Sequence, residues 1–168
     1  TVRVTGRRAM GTEKTTIGKA LGQIPGGVFV VTAGKGEKGT GFLASWVQQA
    51  AFEPPLISIA VKQGRPIQAL IESGEPFAVH VLGKDQKKIA AHFAKGFAPG
   101  EAAFEGVGVR TGVTGAPVLD GVNAYLECRF YGKTAAGDHV IYLAEVVAGA
   151  AVEGSEPEVR VRKDGFAY

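Results

Sequence analysis

Short β-branched runs separated by turn residues recur along this chain, and they constrain its fold more than any other feature. Residues 28–32 are VFVVT, residues 56–61 are LISIAV and residues 77–82 are FAVHVL. Each run has the length and composition of a strand. The chain has 168 residues and 25 of them are glycine, which favours many tight turns. We therefore predict one mostly β domain with a sizeable core.

Two alternating runs toward the C-terminus predict a β-hairpin. Apolar and polar side chains alternate over residues 123–133, as in a strand with one buried face. Residues 135–138 (AAGD) form a turn sequence, and residues 139–148 would be the partner strand. The single cysteine, Cys128, is interpreted as a small buried residue of this hairpin. Residues 98–121 are weakly patterned and predict a long connection.

Three segments have helical spacing of apolar residues. They are residues 15–24, residues 65–73 and residues 85–97, the last with Asp85 as its predicted N-cap. Together with about six strands they favour an antiparallel barrel with peripheral short helices. Residues 34–39 (GKGEKG) match GxGxxG, but no helix is predicted to begin there. We interpret them as a hairpin turn rather than a dinucleotide site.

The excess positive charge lies at the N-terminal end of the chain. Residues 1–14 hold four cations and one acid, whereas residues 15–168 hold 15 of each. We predict a basic arm over residues 1–14, followed by one domain over residues 15–168. A neutral domain argues against a nucleic-acid partner. No apolar run approaches the length of a membrane span, and one cysteine fits a reducing compartment, so a cytoplasmic protein without membrane contact is expected.

Residues 40–65 contain the best candidate binding site. Thr40 and Ser45 offer hydroxyls near a polar turn predicted at residues 48–49, and Lys62 and Arg65 precede a predicted helix. Amides and hydroxyls can satisfy the heteroatoms of a planar ring, while Lys and Arg can hold a phosphate. Taken alone, the hydroxyls are equally consistent with ordinary strand-end residues. Trp46 fits the core and the edge of a pocket equally well.

The order of these motifs resembles the flavin reductase-like family, the FMN-binding split barrels. The likeness covers residues 16–149, and it is carried by GGV before VVT, by TGFLASW, PPLISIAVK and FAVHVL with DQKKIAAHFAKGF, and by GDHVIYLAEV. Within the family the chain is similar to flavoredoxin and to the C-terminal flavin reductase domain of cyanobacterial diflavin flavoproteins. The resemblance implies a Greek-key split barrel that binds FMN, usually as a homodimer.

The resemblance also implies which residues form the site. The flavin ring would lie along Thr40, Gly41, Phe42, Leu43, Ala44 and Ser45, with Trp46 beside it. The segment of Lys62, Gln63 and Arg65 would meet the phosphate, and His139 would be the catalytic residue near the reactive face of the flavin. His80 stands where many relatives have Asn, so no ligand role is carried over to it. The histidines lack ligand spacing, so no metal site is expected.

The implied function is that of an FMN-dependent NAD(P)H:flavin oxidoreductase. It would take hydride from NADH or NADPH and pass electrons to free flavin or to a partner redox protein or domain. The alternative is an FMN-binding electron-transfer protein without its own NAD(P)H site. The two functions would differ at residues 98–121 and the turn before His139, where a nicotinamide would have to fit.

Overall fold

The structure is a computed structural model that describes residues 6–168, with side chains from residue 13 onward. These residues form three α-helices, a 3₁₀ turn and eleven strands. The helices are α1 (Gly6–Gly22), α2 (Ile67–Glu72) and α3 (Lys87–Ala94), and the 3₁₀ turn is Gly36–Lys38. The strands are β1 (Gly26–Gly27), β2 (Phe29–Ala33), β3 (Thr40–Ala44), β4 (Val47–Ala51), β5 (Leu56–Lys62), β6 (Phe77–Val81), β7 (Val109–Thr111), β8 (Pro117–Leu119), β9 (Ala124–Ala136), β10 (His139–Ala151) and β11 (Val159–Arg160).

Seven of these strands form a sheet that closes on itself. Their order is β3-β2-β6-β9-β10-β5-β4, and all six neighbouring pairs are antiparallel. β3 and β4 are the two edges of the sheet, yet only Ser45 and Trp46 separate them in the chain. Three Cα–Cα steps span at most about 11 Å. The two edges therefore meet at this corner, which makes the sheet a barrel and confirms the predicted antiparallel, β-dominated fold.

The barrel interior is an apolar cluster to which α2 contributes. Val31, Ile59 and Phe77 lie in it with no exposed surface, and Ile67 and Ile71 of α2 join them. A second cluster holds α3 against β2 and β3 through Phe93, which is 1% exposed. Burying a side chain of that size contributes about 2 kcal/mol. The face of β3 opposite the barrel interior is thus covered by α3.

Two predicted helices have different limits in the structure. The helix predicted over residues 15–24 begins at Gly6 and ends at Gly22, so the boundary predicted at residue 14 falls inside α1. Residues 1–5 of the predicted arm lie outside the described residues. The helix predicted over residues 85–97 is only α3, and the predicted Asp85 cap is wrong, because Gln86 occupies the N-cap position.

The turn predicted at residues 48–49 is wrong, because both glutamines lie in β4. Of the strands described, β4 pairs with β5 alone, and it exposes most of its side chains, so it has no apolar alternation to reveal it. The long connection over residues 98–121 contains a second missed feature, the short hairpin of β7 and β8. The hairpin turn predicted at residues 34–39 is confirmed by the antiparallel pairing of β2 with β3.

The chain divides into two compact units. One consists of residues up to 26 together with residues 159–168, and the other of residues 27–158. In the first unit, α1 binds the C-terminal segment: the carbonyl of Gly18 accepts the N–H of Gly165 at 2.7 Å, and that of Gly22 accepts the N–H of Arg162 at 2.9 Å. The second unit contains the barrel and every residue of the predicted site. The single-domain division at residue 14 stays a prediction.

His80 is a buried cross-link between three strands. Its Nε2 accepts the N–H of Leu119 at 3.0 Å, so the ring proton is on Nδ1, which donates to the carbonyl of Val30 at 2.9 Å. Burial, assisted by the charge of Arg110, lowers the pKa of His80 to about 4. The neutral ring therefore uses both nitrogens to hold β8 and β2 against β6.

We expect the free energy of unfolding to fall by about 2 kcal/mol between pH 7 and pH 5 because of His80. Between pH 7 and pH 5, His80 of the unfolded chain, with a pKa near 6.5, binds a proton, whereas His80 of the folded chain stays neutral. Urea unfolding of wild type and His80→Asn at both pH values measures the effect. The variant should lose that part of the pH dependence. If the free energy of unfolding fell equally in wild type and variant between pH 7 and pH 5, the pH dependence would come from another group.

Candidate functional site

Strand pairing places His139 beside Lys62. His139 opens β10, Lys62 ends β5, and the two are paired in register. The next residue, Gln63, holds the turn that precedes His139: its backbone N–H donates to the carbonyl of Asp138 at 3.0 Å, and its side-chain amide donates to the carbonyl of Gly137 at 3.2 Å. Gln63 thus fixes the position of His139, and its side-chain amide is engaged by the turn.

Trp46 covers the imidazole of His139. Their ring centroids are 4.8 Å apart and their planes are tilted by 40°. The carbonyl of Trp46 accepts the N–H of Ala60 at 3.0 Å, which ties the corner of the barrel to β5. Trp46 is 37% exposed and His139 is 7% exposed. Trp46 is therefore not a core residue, and it lies on the rim of the surface that contains His139.

Asp138 orients the imidazole from the other side. Its carboxylate accepts the Nδ1 proton of His139 at 2.7 Å. This hydrogen bond lowers the pKa of Asp138, and the charge of Lys62 lowers it further. Asp138 therefore stays ionised at neutral pH and keeps the proton of the imidazole on Nδ1. Sequence reasoning missed Asp138, although a carboxylate directly before a candidate catalytic histidine is a readable signal.

The segment predicted to contact a ring is an edge strand. Among the described strands β3 pairs with β2 alone, so one row of its backbone N–H and C=O groups faces away from the sheet. The side chains of Phe42 and Ala44 are buried in the barrel, Leu43 packs toward α3, and a Cβ added to Gly41 would lie 2.8 Å from Phe93. Any ligand along β3 would therefore meet mainly backbone, together with the half-buried Ser45 at the strand end.

Arg65 lies between β3 and the end of α3. Its guanidinium is 5.8 Å from the ring centroid of Phe42, and a Cβ added to Gly96 would lie 3.6 Å from Nη1. Its backbone N–H donates to Oε1 of Gln68 at 3.0 Å. Within residues 6–168, neither Arg65 nor Lys62 forms an ion pair with a carboxylate. Lys62 and Arg65, three positions apart and without an ion pair among the described side chains, could therefore bind an anionic group.

The predicted site residues therefore fall into two groups joined by the corner of the barrel. Trp46, Lys62, Gln63 and His139 lie together, and Arg65 lies against Phe42 on the neighbouring strand. Thr40 begins β3 and lies six residues before Trp46, which is about 20 Å along an extended chain. Thr40 is 9% exposed and lies at the end of β3 that is farther along the chain from Trp46.

The β7–β8 hairpin and His139 lie at opposite ends of β9. The hairpin loop is bound by Glu127, whose carboxylate accepts the N–H of Val113 at 3.1 Å and the N–H of Thr114 at 2.8 Å. Nine residues of extended strand, about 30 Å, separate Glu127 from the end of β9. Within one chain, this hairpin and the imidazole therefore do not line the same pocket.

The other predicted roles of histidine and cysteine are structural. Nε2 of His92 bonds to the carbonyl of Ala103 at 2.8 Å. Cys128 is fully buried, as predicted, and burial raises the pKa of its thiol to about 12, which makes it unreactive. Within the described residues, no three His, Cys, Asp or Glu side chains are grouped as a metal site requires, and no helix has the length and apolarity to cross a membrane.

The described residues thus form a seven-stranded antiparallel barrel whose edges meet at one corner. At that corner lie an aromatic–imidazole pair and two cations without an ion pair among the described side chains. The family model described as "Flavin reductase like domain" matches residues 21–165. The chain therefore belongs to the flavin reductase-like family, as the sequence resemblance predicted.

Individual relatives agree with this assignment. Diflavin flavoprotein A 1 of Synechocystis sp. is 40% identical over 153 residues, which are 89% of this chain and 26% of that protein. The NADH:FAD oxidoreductase SgcE6 of Streptomyces globisporus has a TM-score of 0.79 and 31% identity, covering 96% of this chain and 92% of its own. A second structure of SgcE6, in complex with NAD and FAD fragments, has a TM-score of 0.76 and 30% identity over 96% and 92% of the two chains. The chain spans about a quarter of the diflavin flavoproteins that it matches.

Proposed function

We propose that this chain is an FMN-dependent NAD(P)H:flavin oxidoreductase. The observation that carries the proposal is the pairing of His139 with Lys62, which puts an oriented imidazole beside a cation. Family membership and the likeness to a named NADH:FAD oxidoreductase support the same reaction class. A reductase of this class needs no nucleophile or acid–base dyad, since the cofactor carries the chemistry.

The described residues fit a flavin phosphate and ring. Lys62 and Arg65 would hold the phosphate, because neither cation forms an ion pair among the described side chains. The free backbone edge of β3 and the hydroxyl of Ser45 would satisfy the heteroatoms of the ring. Bound flavin would supply the redox chemistry by accepting a hydride. The protein's part is to bind, to orient and to place charge.

His139 would act on the nicotinamide side. Asp138 and Trp46 hold its ring in one orientation, with the proton of Nδ1 directed to the carboxylate. A ring fixed in this way can position a nicotinamide without paying for its own ordering on each turnover. Gln63 supports it by holding the turn before it.

The electron acceptor and the assembly follow as further proposals. The matched relatives are diflavin proteins about four times as long as the matched region, so a partner redox domain or protein is a candidate acceptor, besides free flavin.

The alternative function is an FMN-binding electron carrier without its own NAD(P)H site. The separation of the β7–β8 hairpin from His139 favours it, because that loop cannot enclose a nicotinamide against His139 within one chain. The predicted homodimer would be checked by mass in solution.

Anaerobic reduction tests the proposed function. The purified chain is loaded with FMN, oxygen is removed, and NADH or NADPH is added while the visible absorption of the flavin is followed. Rapid bleaching by one nucleotide supports the reductase and identifies its donor. Tight FMN binding without bleaching by either nucleotide supports the electron carrier. Failure to bind flavin would contradict both functions.

We expect His139→Asn to slow flavin reduction roughly tenfold to hundredfold, while the Kd for FMN changes less than about threefold. His139 is proposed to position the nicotinamide, and misplacing a reacting group by about 1 Å can cost up to about a hundredfold in rate. Stopped-flow absorption gives the rate, and fluorescence quenching gives the Kd. His92→Asn is the matched control, because His92 bonds within the fold rather than at the site. An unchanged rate in His139→Asn would remove His139 from the reaction.

A further inference from the structure

A chain of hydrogen bonds runs from the barrel interior to the backbone of Arg65. The side chain of Tyr142, on β10, is fully buried, and its hydroxyl donates to Oε1 of Glu72 at 2.6 Å. The same hydroxyl accepts from Nε2 of Gln68 at 3.0 Å, and Oε1 of Gln68 accepts the N–H of Arg65 at 3.0 Å. Glu72 also pairs with Nζ of Lys133 at 2.8 Å.

The chemistry of the groups determines which one donates in each hydrogen bond of this network. A backbone N–H can only donate, so the oxygen of the Gln68 amide faces Arg65 and its NH₂ faces Tyr142. The tyrosine hydroxyl must then send its own proton to Glu72. Burial and the bond to Glu72 raise the pKa of Tyr142 to about 12, and hydrogen bonding to Lys133 lowers the pKa of Glu72. The donor and the acceptor therefore keep their protonation states across the neutral range.

Tyr142, which anchors this hydrogen-bond network, lies in a rigid part of the sheet. Tyr142 pairs with Ile59 of β5 on one side and with Lys133 of β9 on the other. Its ring also packs edge-on against Phe130, with centroids 6.3 Å apart. The hydroxyl therefore has a fixed position from which it can hold α2.

The segment that Gln68 holds has two other contacts on the side of α2: the backbone N–H of Gln68 donates to the carbonyl of Arg65 at 3.1 Å, and the guanidinium of Arg65 lies over the ring of Phe42. Residues 62–64 and Pro66 are exposed, and Gly64 adopts φ +85° with nothing within 4 Å of an added Cβ. On the β5 side the segment is fastened by Gln63 to the carbonyls of residues 137 and 138. On the α2 side it is fastened by Gln68. Two glutamine side chains thus fix the loop that carries Lys62 and Arg65.

We propose that Gln68 and Tyr142 are positioning residues for recognition of the flavin phosphate, acting by holding the backbone of Arg65. The inference rests on the proposed function, since it assumes that Arg65 meets that phosphate. Neither residue touches the ligand. Their loss therefore loosens the backbone of Arg65 without removing its charge, and affinity falls only for ligands that carry the phosphate.

The ratio of the Kd for riboflavin to the Kd for FMN measures phosphate recognition directly. We expect Gln68→Leu and Tyr142→Phe each to lower this ratio about tenfold, with the Kd for riboflavin changed less than about twofold. Tyr131→Phe, which removes a hydroxyl from an exposed tyrosine of β9, should leave both constants unchanged. Gln68 is only half-buried, so its variant keeps the test informative if Tyr142→Phe does not fold.

Several outcomes would overturn the inference. The network would be merely structural if the ratio kept its wild-type value in both variants. The same conclusion would follow if both variants weakened the binding of FMN and riboflavin equally. A wild-type chain that binds riboflavin as tightly as FMN would refute the phosphate assignment but leave flavin binding intact. A wild-type chain that binds neither ligand would refute the proposed function together with this inference.

Discussion

Replacing Lys62 and Arg65 together by alanine should weaken FMN binding at least about a hundredfold and leave riboflavin binding within about threefold. A hydrogen bond to a charged group contributes about 1.5–3 kcal/mol, and two of them correspond to a factor of 100 or more. Lys62 is exposed and Arg65 is half-buried, which favours the lower end of that range. Quenching of flavin fluorescence on titration gives both constants.

The control for this double variant must remove the same charge elsewhere. Lys84→Ala with Lys87→Ala removes two exposed cations, one from the loop before α3 and one from its first residue, and should leave both affinities unchanged. Arg65 also covers the ring of Phe42, so Arg65→Met separates lost packing from lost charge. If the double variant bound FMN as the wild type does, or lost FMN and riboflavin equally, the phosphate would lie elsewhere.

The strands that sequence reasoning predicted are those whose pattern is local. β5 and β6 are short apolar runs with turn residues on either side, and β9 alternates over much of its length. β4 escaped detection because an edge strand need not be apolar on either face. The sequence predicted a barrel, but it did not predict that β3 and β4 are its edges, since those positions depend on partners distant in sequence.

Most of the candidate site depends on pairings of the same long-range kind. Lys62 and His139 became neighbours through the register of β5 and β10, and no periodicity encodes that register. The family resemblance suggested both residues, but their bonded environment was not readable. Gln68 and Tyr142 are 74 positions apart and gave no local signal of their contact. Gln63 has a second role that the sequence did not predict, since its side-chain amide holds the turn before His139; its predicted contact with a phosphate stays a prediction.

Glu127 shows how a charged residue on an alternating strand can become a core residue. Its position in β9 predicts a polar outer face, yet the loop after β7 covers it completely. Gly112 permits this approach, because an added Cβ would lie 2.5 Å from the carboxylate. Burial alone would raise the pKa of Glu127, but hydrogen bonds from the hydroxyl and N–H of Thr114 and from the N–H of Val113 outweigh it and lower the pKa.

Replacing Glu127 by leucine should therefore lower the free energy of unfolding by about 3–5 kcal/mol at pH 7. It leaves two backbone N–H groups and a hydroxyl without their acceptor, and each unmet donor costs about 1–3 kcal/mol, partly recovered by water because Thr114 is half-buried. Glu127→Gln keeps one acceptor oxygen and should lower the free energy of unfolding by less.

The stabilisation by Glu127 also depends on pH. Since the pKa of Glu127 is lowered in the folded chain, the stabilisation by its carboxylate is complete above the unfolded pKa near 4.5 and is lost as the pH falls below it. Urea unfolding measures these losses, with Glu75→Gln, an exposed carboxylate, as control. A Glu127→Leu protein as stable as wild type would mean that the loop does not depend on this carboxylate.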